Sequence, residues 1–206
     1  MQAKAKTSAK EKILNASLQV IRSKGYSATT VDDLCGAAGV TKGAFFHHFE
    51  SKEALGVAAA EHWSAITSEL FAHAEYHQPS DPLARFLGYI NFRRELIQGE
   101  IPEFSCLVGT MVQEAYDSNP AIRQACQESI FGHASTLVND IAEAKKLYAP
   151  KANWEPESLA LHTQAVLQGA FILAKAKGNM NVAVDSVDHL SRYVNFLFHH
   201  EPKEKK

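Results

Sequence analysis

At 206 residues, 46% of them hydrophobic, the chain is long enough to bury a substantial core. It has no run of 18 or more apolar residues and starts with a polar, basic stretch, which predicts a cytoplasmic protein without a membrane span or a secretion signal. Its three cysteines are widely spaced and suit neither a disulfide framework nor a zinc site of paired cysteines.

The formal net charge of -2 divides unevenly along the chain. Up to Leu55 there are eight Lys and Arg against five Asp and Glu, and beyond it thirteen against eighteen. An anion-binding surface should therefore lie in the first quarter of the chain.

Apolar residues recur at helical spacing almost throughout, which predicts an all-α protein of about nine helices. The first helix covers residues 10–24 and ends at Gly25. Thr30 opens the second, with Asp33 placed for a capping box, and Gly39 ends it after two turns.

The third and fourth helices follow at once. After the turn at Gly39 and Val40, Thr41 caps a short helix that ends near residue 49. Ser51 caps a long helix over residues 52–77. Two short helices around such a turn match a helix-turn-helix unit, whose second helix enters the DNA major groove.

The remaining helices are predicted at residues 82–98, 105–116, 120–147, 156–177 and 182–199, with a loop at 99–103. Pro120 and Pro156 suit first helical turns.

The third helix has two faces on a helical wheel. Phe45, His48 and Phe49 can pack inward against the first two helices. The outward face holds Lys42, Gly43, Phe46 and His47. Packing of an amphipathic helix pair without any DNA contact would explain this pattern equally well.

An outward face of this composition suits a DNA groove. Lys42 can meet phosphate or guanine acceptors, His47 can donate a hydrogen bond, and Gly43 permits close approach of the backbone. Helix starts also favour phosphate oxygens, and three residues sit at such positions: Thr29, Thr41 and Lys52.

The segment TTVDDLCGAAGVTKGAFFHHFESKEAL closely resembles the DNA-binding domain of the tetracycline-repressor (TetR) family, and the resemblance covers about residues 9–56. It implies a DNA-binding domain over residues 1–52 and an effector-binding and dimerisation domain over residues 53–206. The DNA-contacting residues that follow are Thr29, Thr30, Thr41, Lys42, Gly43, Ala44, Phe46, His47 and Lys52.

One position departs from the family pattern. The family usually has a tyrosine before the HHF, where its hydroxyl reaches a DNA phosphate, and this chain has Phe46. Phenylalanine cannot make that hydrogen bond, although it can stack against sugar or a thymine methyl group. We expect the binding mode to persist with one phosphate contact fewer.

The resemblance also implies a homodimer in which the last two long helices pair with those of a second subunit. Two recognition helices would then read a palindromic operator with half-site centres about 34–36 Å or more apart. The apolar residues available for this interface are Leu159, Val166, Leu167, Ala170, Leu190, Val194 and Leu197, although most of them suit an intramolecular core equally well.

Members of the family hold a ligand behind the DNA-binding domain, so we expect a ligand-responsive regulator, by family default a repressor. A small, mainly apolar or electrophilic effector would release it from DNA, with the fourth helix as the lever. Candidate lining residues, each of which suits a plain core as well, are Trp63, Phe86, Ile90, Phe104, Met111, Phe131 and Phe171.

A narrower resemblance links SCLVGTMVQEAYDSNPAIR and LQGAFILAKA to a TetR subgroup in which some members respond to electrophiles or oxidants. It suggests that Cys106, near a helix start, is reactive and that Lys175 lies close to it. A buried small residue and a solvated lysine would explain the same residues.

The residues argue against two other classes of protein. The chain lacks GxSxG, a phosphate-binding glycine loop and a dinucleotide fingerprint, so we predict neither an enzyme nor a cofactor. A metal sensor would need histidines such as His73 with His77, or the adjacent His199 and His200, although exposed histidine pairs are commonly polar surface. We predict no metal site.

Overall fold

The computed structural model describes residues 7–198, and this part of the chain is all-helical, as predicted. It contains a 3-10 turn at Glu75–His77 and eleven α-helices: α1 Ala9–Lys24, α2 Val31–Ala38, α3 Lys42–His48, α4 Lys52–Ala72, α5 Pro82–Glu95, α6 Ile101–Phe104, α7 Leu107–Ala115, α8 Pro120–Ser135, α9 Val138–Tyr148, α10 Pro156–Lys177 and α11 Asn181–Leu197.

Three regions differ from the predicted elements. The fourth helix, predicted over residues 52–77, ends at Ala72 and is followed by the separate 3-10 turn at Glu75–His77. The single helix predicted at 120–147 is α8 and α9, because Ser135 and Thr136 hydroxyls donate to carbonyl oxygens three residues back, at 2.7 Å each. The backbone N–H groups of Thr136 and Leu137 also bond three residues back, which tightens the helix end. The predicted loop at 99–103 contains the single turn α6.

The predicted N-terminal caps are confirmed. The Thr30 hydroxyl accepts from the Asp33 N–H at 3.1 Å, and the Asp33 carboxylate accepts from the Thr30 N–H at 2.8 Å, which completes the capping box of α2. Thr41 and Ser51 each accept from the N–H three residues on. Gly39 ends α2 at a φ of 62°, where a side chain would be strained.

The described residues form two compact units. One contains residues 7–67 with 105–129, and the other contains residues 68–104 with 130–198. The predicted boundary between residues 52 and 53 concerns which part binds DNA and which binds the effector. Residue contacts do not test that boundary, which stays a prediction.

The core of the helix-turn-helix region joins α1, α2, α3 and the start of α4. Burying one such leucine, isoleucine or phenylalanine stabilises a fold by about 1.5–3 kcal/mol, so this core fixes the orientation of α3. Its buried residues are Ile13, Leu14, Leu34, Cys35, Phe45, Phe49 and Leu55.

The second unit is built around α5, α9, α10 and α11, which contact one another. Most apolar residues predicted for a dimer interface lie inside this unit: Leu159, Leu167, Ala170, Leu190 and Val194 are buried, whereas Val166 and Leu197 are half-buried. Other apolar side chains of α10 and α11 are exposed, namely Leu161, Ile172, Leu173, Tyr193 and Phe196. Among residues 7–198, no helix has the length and apolar character needed to cross a membrane.

Candidate nucleic-acid interface and effector-binding residues

The turn between α2 and α3 is short and closed by backbone hydrogen bonds. The Gly39 N–H donates to the Gly36 carbonyl at 3.3 Å, and the Val40 N–H donates to the Cys35 carbonyl at 3.0 Å. This pattern ends a helix with a left-handed residue and sends the chain into the next helix after two residues. The geometry is that of the predicted helix-turn-helix.

The inward face of α3 is held by two rings. Phe45 is fully buried, and its ring centroid lies 5.6 Å from that of the buried Phe49. His48, which the helical wheel placed with them, is exposed instead. His48 is the last residue of α3.

The outward face carries the residues expected to meet DNA. Lys42, Gly43 and His47 are exposed, and the Phe46 side chain is 55% exposed. A Cβ atom added at Gly43 would approach only the Thr41 hydroxyl, at 3.8 Å, so the backbone there is open to a partner. The exposed aromatic ring, cation and imidazole form one surface on a helix anchored from behind.

Lys42 is paired across the turn. Its ammonium group lies 2.9 Å from the Asp32 carboxylate, and both side chains are more than half exposed, at 60% and 69%. Exposed ion pairs of this kind stabilise proteins by about 0–1 kcal/mol. Lys42 can therefore exchange Asp32 for a phosphate at small cost.

Three further predicted DNA-contacting residues lie at the helix starts. Thr41 is exposed, and its hydroxyl accepts the Ala44 N–H at 3.2 Å while its own proton remains available among the described residues. Ala44 is half-buried on α3. Thr30 is exposed, but its hydroxyl donates to Asp33 at 2.7 Å within the capping box.

Thr29 does not present its side chain to the surface. It is buried, its hydroxyl donates to the Gly25 carbonyl at 2.6 Å, and its N–H donates to the Tyr26 carbonyl at 3.2 Å. Both donors are therefore used to close the turn that follows α1. The phosphate contact predicted for its side chain conflicts with this arrangement.

Lys52 is also engaged inside the protein. Its ammonium group donates to the carbonyl oxygens of Tyr26, Ser27 and Thr29 at 3.1, 3.2 and 3.0 Å, and lies 4.6 Å from the centroid of the Tyr26 ring. The group's three donors thus match three backbone acceptors of the α1–α2 turn. The structure gives Lys52 a structural role that the predicted phosphate contact overlooked.

The same turn is held from its other side by α7. The Glu114 carboxylate accepts the N–H groups of Tyr26 and Ser27 at 3.2 and 2.7 Å. Gly25 has a φ of 89°, and a Cβ there would lie 2.5 Å from a Glu114 oxygen. Glu114 therefore links α7 to the segment that sets the position of α2.

Three predicted effector residues lie in the first unit. Met111 is fully buried, and Trp63 is half-buried with the Arg22 guanidinium 5.0 Å from its ring centroid. Cys106 is half-buried at the N-cap of α7, where its sulfur accepts the Gly109 N–H at 3.4 Å. A third thiol, Cys126, is buried, which raises its pKa to about 12.

The others lie in the second unit and divide between core and surface. Phe86 and Ile90 are fully buried, whereas Phe131 is 54% exposed and Lys175 is exposed. Phe104 and Phe171 are in ring contact, with centroids 6.0 Å apart. Because Cys106 belongs to the first unit, its proximity to Lys175 stays a prediction.

A polar cluster in the second unit was not found from the sequence. The Gln164 amide donates to the Tyr89 hydroxyl at 2.9 Å, and that hydroxyl lies 2.9 Å from Nε2 of His133. Burial, and to a smaller degree the charge of Arg93, lowers the pKa of His133 to about 4. His133 is therefore neutral at pH 7, and its Nε2 can accept a hydrogen bond from the Tyr89 hydroxyl.

Arg93 stands beside this cluster, over two aromatic rings. Its guanidinium carbon lies 5.3 Å from the centroid of Phe71 and 5.7 Å from that of Phe171. One signal could have identified it, because helical spacing places Arg93 on the same face of α5 as Phe86, Tyr89 and Ile90. A cation on an otherwise buried stripe is uncommon and indicates a candidate binding residue.

The histidines predicted as the alternative metal ligands do not converge. His73 follows the end of α4, and His77 lies in the separate 3-10 turn, so the two do not share a helix face. No group of three or more His, Cys, Asp or Glu side chains within residues 7–198 is placed to hold a metal ion. His199 and His200 lie outside the described residues.

Two family models match this chain. The model for bacterial regulatory proteins of the tetR family matches residues 13–59, and the C-terminal domain of LmrA/YxaF-like transcriptional regulators matches residues 82–183. The first match contains the whole helix-turn-helix, and the second contains Tyr89, Arg93 and His133.

Whole-length relatives agree with these models. The repressor DhaR of Mycobacterium sp. strain GP1 is 25% identical over 175 residues, covering 85% of this chain and 86% of that protein. The repressor NemR of Escherichia coli K12 is 24% identical over 195 residues, covering 90% and 93%. A TetR regulatory protein from Rhodobacter sphaeroides has the same fold, with a TM-score of 0.75, 24% identity and coverage of 90% and 98%.

Regulators of this family bind DNA operators and small-molecule effectors, and they are not enzymes. The capped helix-turn-helix, the exposed face of α3 and both family matches lead to one assignment: the chain belongs to the TetR family of transcriptional regulators.

Proposed function

We propose that this protein is a dimeric repressor that binds a palindromic operator through α3 and leaves it when a small molecule binds the larger helical part. One observation carries the DNA-binding part of the proposal. Lys42, Phe46 and His47 are exposed on a helix whose opposite face is locked by buried phenylalanine rings. A recognition helix must be fixed by packing on its inward face and must present polar side chains on the face that meets DNA.

The residues of α3 divide by the contact they would make. Lys42 and the Thr41 hydroxyl face outward at the start of the helix, where phosphate contacts fix the register. His47 and the Phe46 ring lie further along and suit base edges and thymine methyl groups. Repression, rather than activation, is supported by the relatives DhaR and NemR, both of which are repressors.

Dimer formation is supported by the exposed apolar side chains of α10 and α11. Phe196 is 76% exposed, and a Cβ added at Gly169 of α10 would meet no atom within 4 Å. Exposed apolar side chains on two neighbouring helices favour association with the same side chains of a second copy. The residues concerned are Leu161, Gly169, Ile172, Leu173, Tyr193 and Phe196.

Sedimentation of Phe196→Glu tests this interface, with Leu147→Glu as the matched control. Leu147 is 64% exposed on α9, outside the two helices that form the proposed interface. We expect the wild type and Leu147→Glu to sediment as dimers and Phe196→Glu as a monomer. A dimeric Phe196→Glu or a monomeric wild type would contradict the proposed interface.

Two helices can transmit effector binding to α3. The predicted lever, α4, starts beside the helix-turn-helix and runs on for 21 residues. The second is α7, whose Glu114 holds the α1–α2 turn through two backbone N–H groups. An effector that favours another position of either helix shifts the population away from the DNA-binding form.

Selection of genomic fragments with purified protein, followed by a gel shift, tests the DNA-binding proposal. We expect enrichment of a palindrome that Lys42→Ala binds at least about tenfold more weakly, because one phosphate contact is lost. Lys146→Ala, at an exposed position on α9, is the control. Absence of any enriched palindrome at low salt would refute the proposed function.

A further inference from the structure

We propose that Arg93 anchors the carboxylate of the effector, and that the effector is an organic acid with an apolar body. The inference rests on the proposed function, since it gives a chemical class to the effector of that regulator. Three observations in the second unit support it: an arginine that, unlike its neighbours on α5, has no counter-ion within residues 7–198, a nearby imidazole donor and two aromatic faces.

Arg93 differs from the other arginines near it. On α5, Arg85 lies 2.7 Å from Asp140 and Arg94 lies 2.6 Å from Asp188. Arg93 forms no ion pair and no hydrogen bond with any residue of 7–198, and it is half-buried. A guanidinium group that has lost part of its water without gaining a carboxylate is costly to maintain, and an anionic ligand would offset that cost.

His133 offers a second donor on the same aromatic ring. Gln164 donates to Tyr89, so the Tyr89 hydroxyl donates in turn to Nε2 of His133. Since burial keeps the imidazole neutral, its proton is assigned to Nδ1, which has no partner among the described residues. The centroids of His133 and Phe71 are 4.5 Å apart, and Arg93 lies over that same Phe71 ring.

The surroundings of Arg93 are aromatic. Its guanidinium group contacts the rings of both Phe71 and Phe171, and Phe104 contacts Phe171. Aromatic faces can hold the apolar body of a ligand while one charged group fixes its orientation.

The charges favour a monoanion over other ligands. Arg93 supplies the positive charge, and the neutral His133 supplies a donor without charge, which together match the oxygens of one carboxylate. A cationic effector would be repelled by Arg93, and a neutral one would leave the guanidinium unpaired. The proposed ligand is therefore an aryl or alkyl monocarboxylic acid.

Thermal unfolding of the full chain tests this inference with defined probes: benzoate, 3-phenylpropanoate and hexanoate, each beside its primary amide. We expect at least one acid at millimolar concentration to raise Tm, with its amide inactive, because ligands that bind the folded state stabilise it. Arg93→Gln should weaken binding of that acid at least about tenfold, which corresponds to about 1.4 kcal/mol. Arg94→Gln, at the arginine paired with Asp188, should bind it like the wild type.

The outcomes separate this inference from the proposed function. The inference is overturned if none of the three acids raises Tm, if the amides act equally, or if Arg93→Gln responds like the wild type. Should Arg93→Gln fail to fold, the comparison of acids with amides on the wild type decides alone. A gel shift on the selected operator tests the proposed function separately. If the protein binds the operator but no acid changes Tm, only the inference about the effector is contradicted.

Discussion

Lys42 and Arg93 are both cations on helices, yet they differ in burial and in pairing. Lys42 is exposed and already paired with Asp32 at 2.9 Å, whereas the half-buried Arg93 has aromatic neighbours and no carboxylate partner within residues 7–198. In the proposed complex, DNA would therefore displace a weak intramolecular partner from Lys42. An anion meeting Arg93 would gain a partner that the protein itself does not supply.

If both proposals hold, burial and pairing, rather than charge, distinguish the DNA-binding surface from the site for one small anion. A polyanion binds many exposed cations together, and salt weakens all of these contacts. A half-buried cation is screened much less and is fixed in direction by its neighbours. Substitutions and changes of pH can therefore perturb one of the two regions and leave the other unchanged.

The largest expected effect is the loss of stability at the His133 cluster in acid. The folded-state pKa of His133 is about 4, below the ordinary value of 6.5, so the unfolded chain takes up this proton first as the pH falls. The contribution of neutral His133 to the free energy of unfolding is therefore fully present above pH 6.5 and is lost progressively down to about pH 4. The loss is at most about 3 kcal/mol, and solvation of the exposed edge of the ring makes it smaller.

Urea unfolding of wild type and His133→Gln across this pH range measures the effect. We expect the free energy of unfolding of the wild type to fall more steeply than that of His133→Gln, because glutamine does not titrate. Parallel curves for the two proteins would show that His133 takes up its proton equally in both states.

Lys52→Ala should lower the free energy of unfolding by about 2 kcal/mol, because hydrogen bonds from a charged group to three backbone carbonyls are lost. Urea unfolding measures this loss, and Lys10→Ala, at an exposed lysine of α1, should change stability by less than about 0.5 kcal/mol. If Lys52→Ala keeps wild-type stability but loses operator affinity, the phosphate role predicted from the sequence is the correct one.

Sequence reasoning was most successful where the signals are local. The caps at Thr30, Thr41 and Ser51 and the end of α2 at Gly39 depend on residues within four positions of each other. The outward placement of Lys42 follows from the helical period in the same way. Fold class and the helix-turn-helix could therefore be predicted from the sequence.

Contacts distant in sequence defeated the same reasoning. Lys52 reaches the carbonyl of Tyr26 across 26 residues, and Gln164 reaches Tyr89 across 75. Neither pairing leaves a periodic pattern in the sequence, so the backbone contacts of Lys52 and the Tyr89 cluster were both missed, and the DNA contact of Lys52 stays a prediction. Phe131 was expected near a ligand because it is aromatic, although its ring is largely exposed on α8.

Phe46→Tyr should strengthen operator binding about fivefold for each subunit of the dimer. The added hydroxyl restores the phosphate hydrogen bond that the family resemblance implies, and one such bond is worth about 1 kcal/mol. Phe46 is 55% exposed, so the variant should fold unchanged. Fluorescence anisotropy measures the affinity, and Phe131→Tyr, at an equally exposed ring in the second unit, should bind like the wild type. An unchanged affinity for Phe46→Tyr would mean that this side chain points away from phosphate.

Asp32→Asn should give the smallest gain, about twofold to threefold in operator affinity at low salt. Asp32 competes with phosphate for the Lys42 ammonium and also repels the DNA. Removing its charge therefore raises operator affinity for two reasons. The gain is limited because the exposed pair is weak and because the first turn of α2 loses an acid that favours its N-terminus.

Anisotropy over a salt series distinguishes this cause from others, since an electrostatic gain must shrink as salt rises. Asp117→Asn, at an exposed acid after α7, should show no gain, and a salt-independent gain for Asp32→Asn would mean that α3 has moved instead.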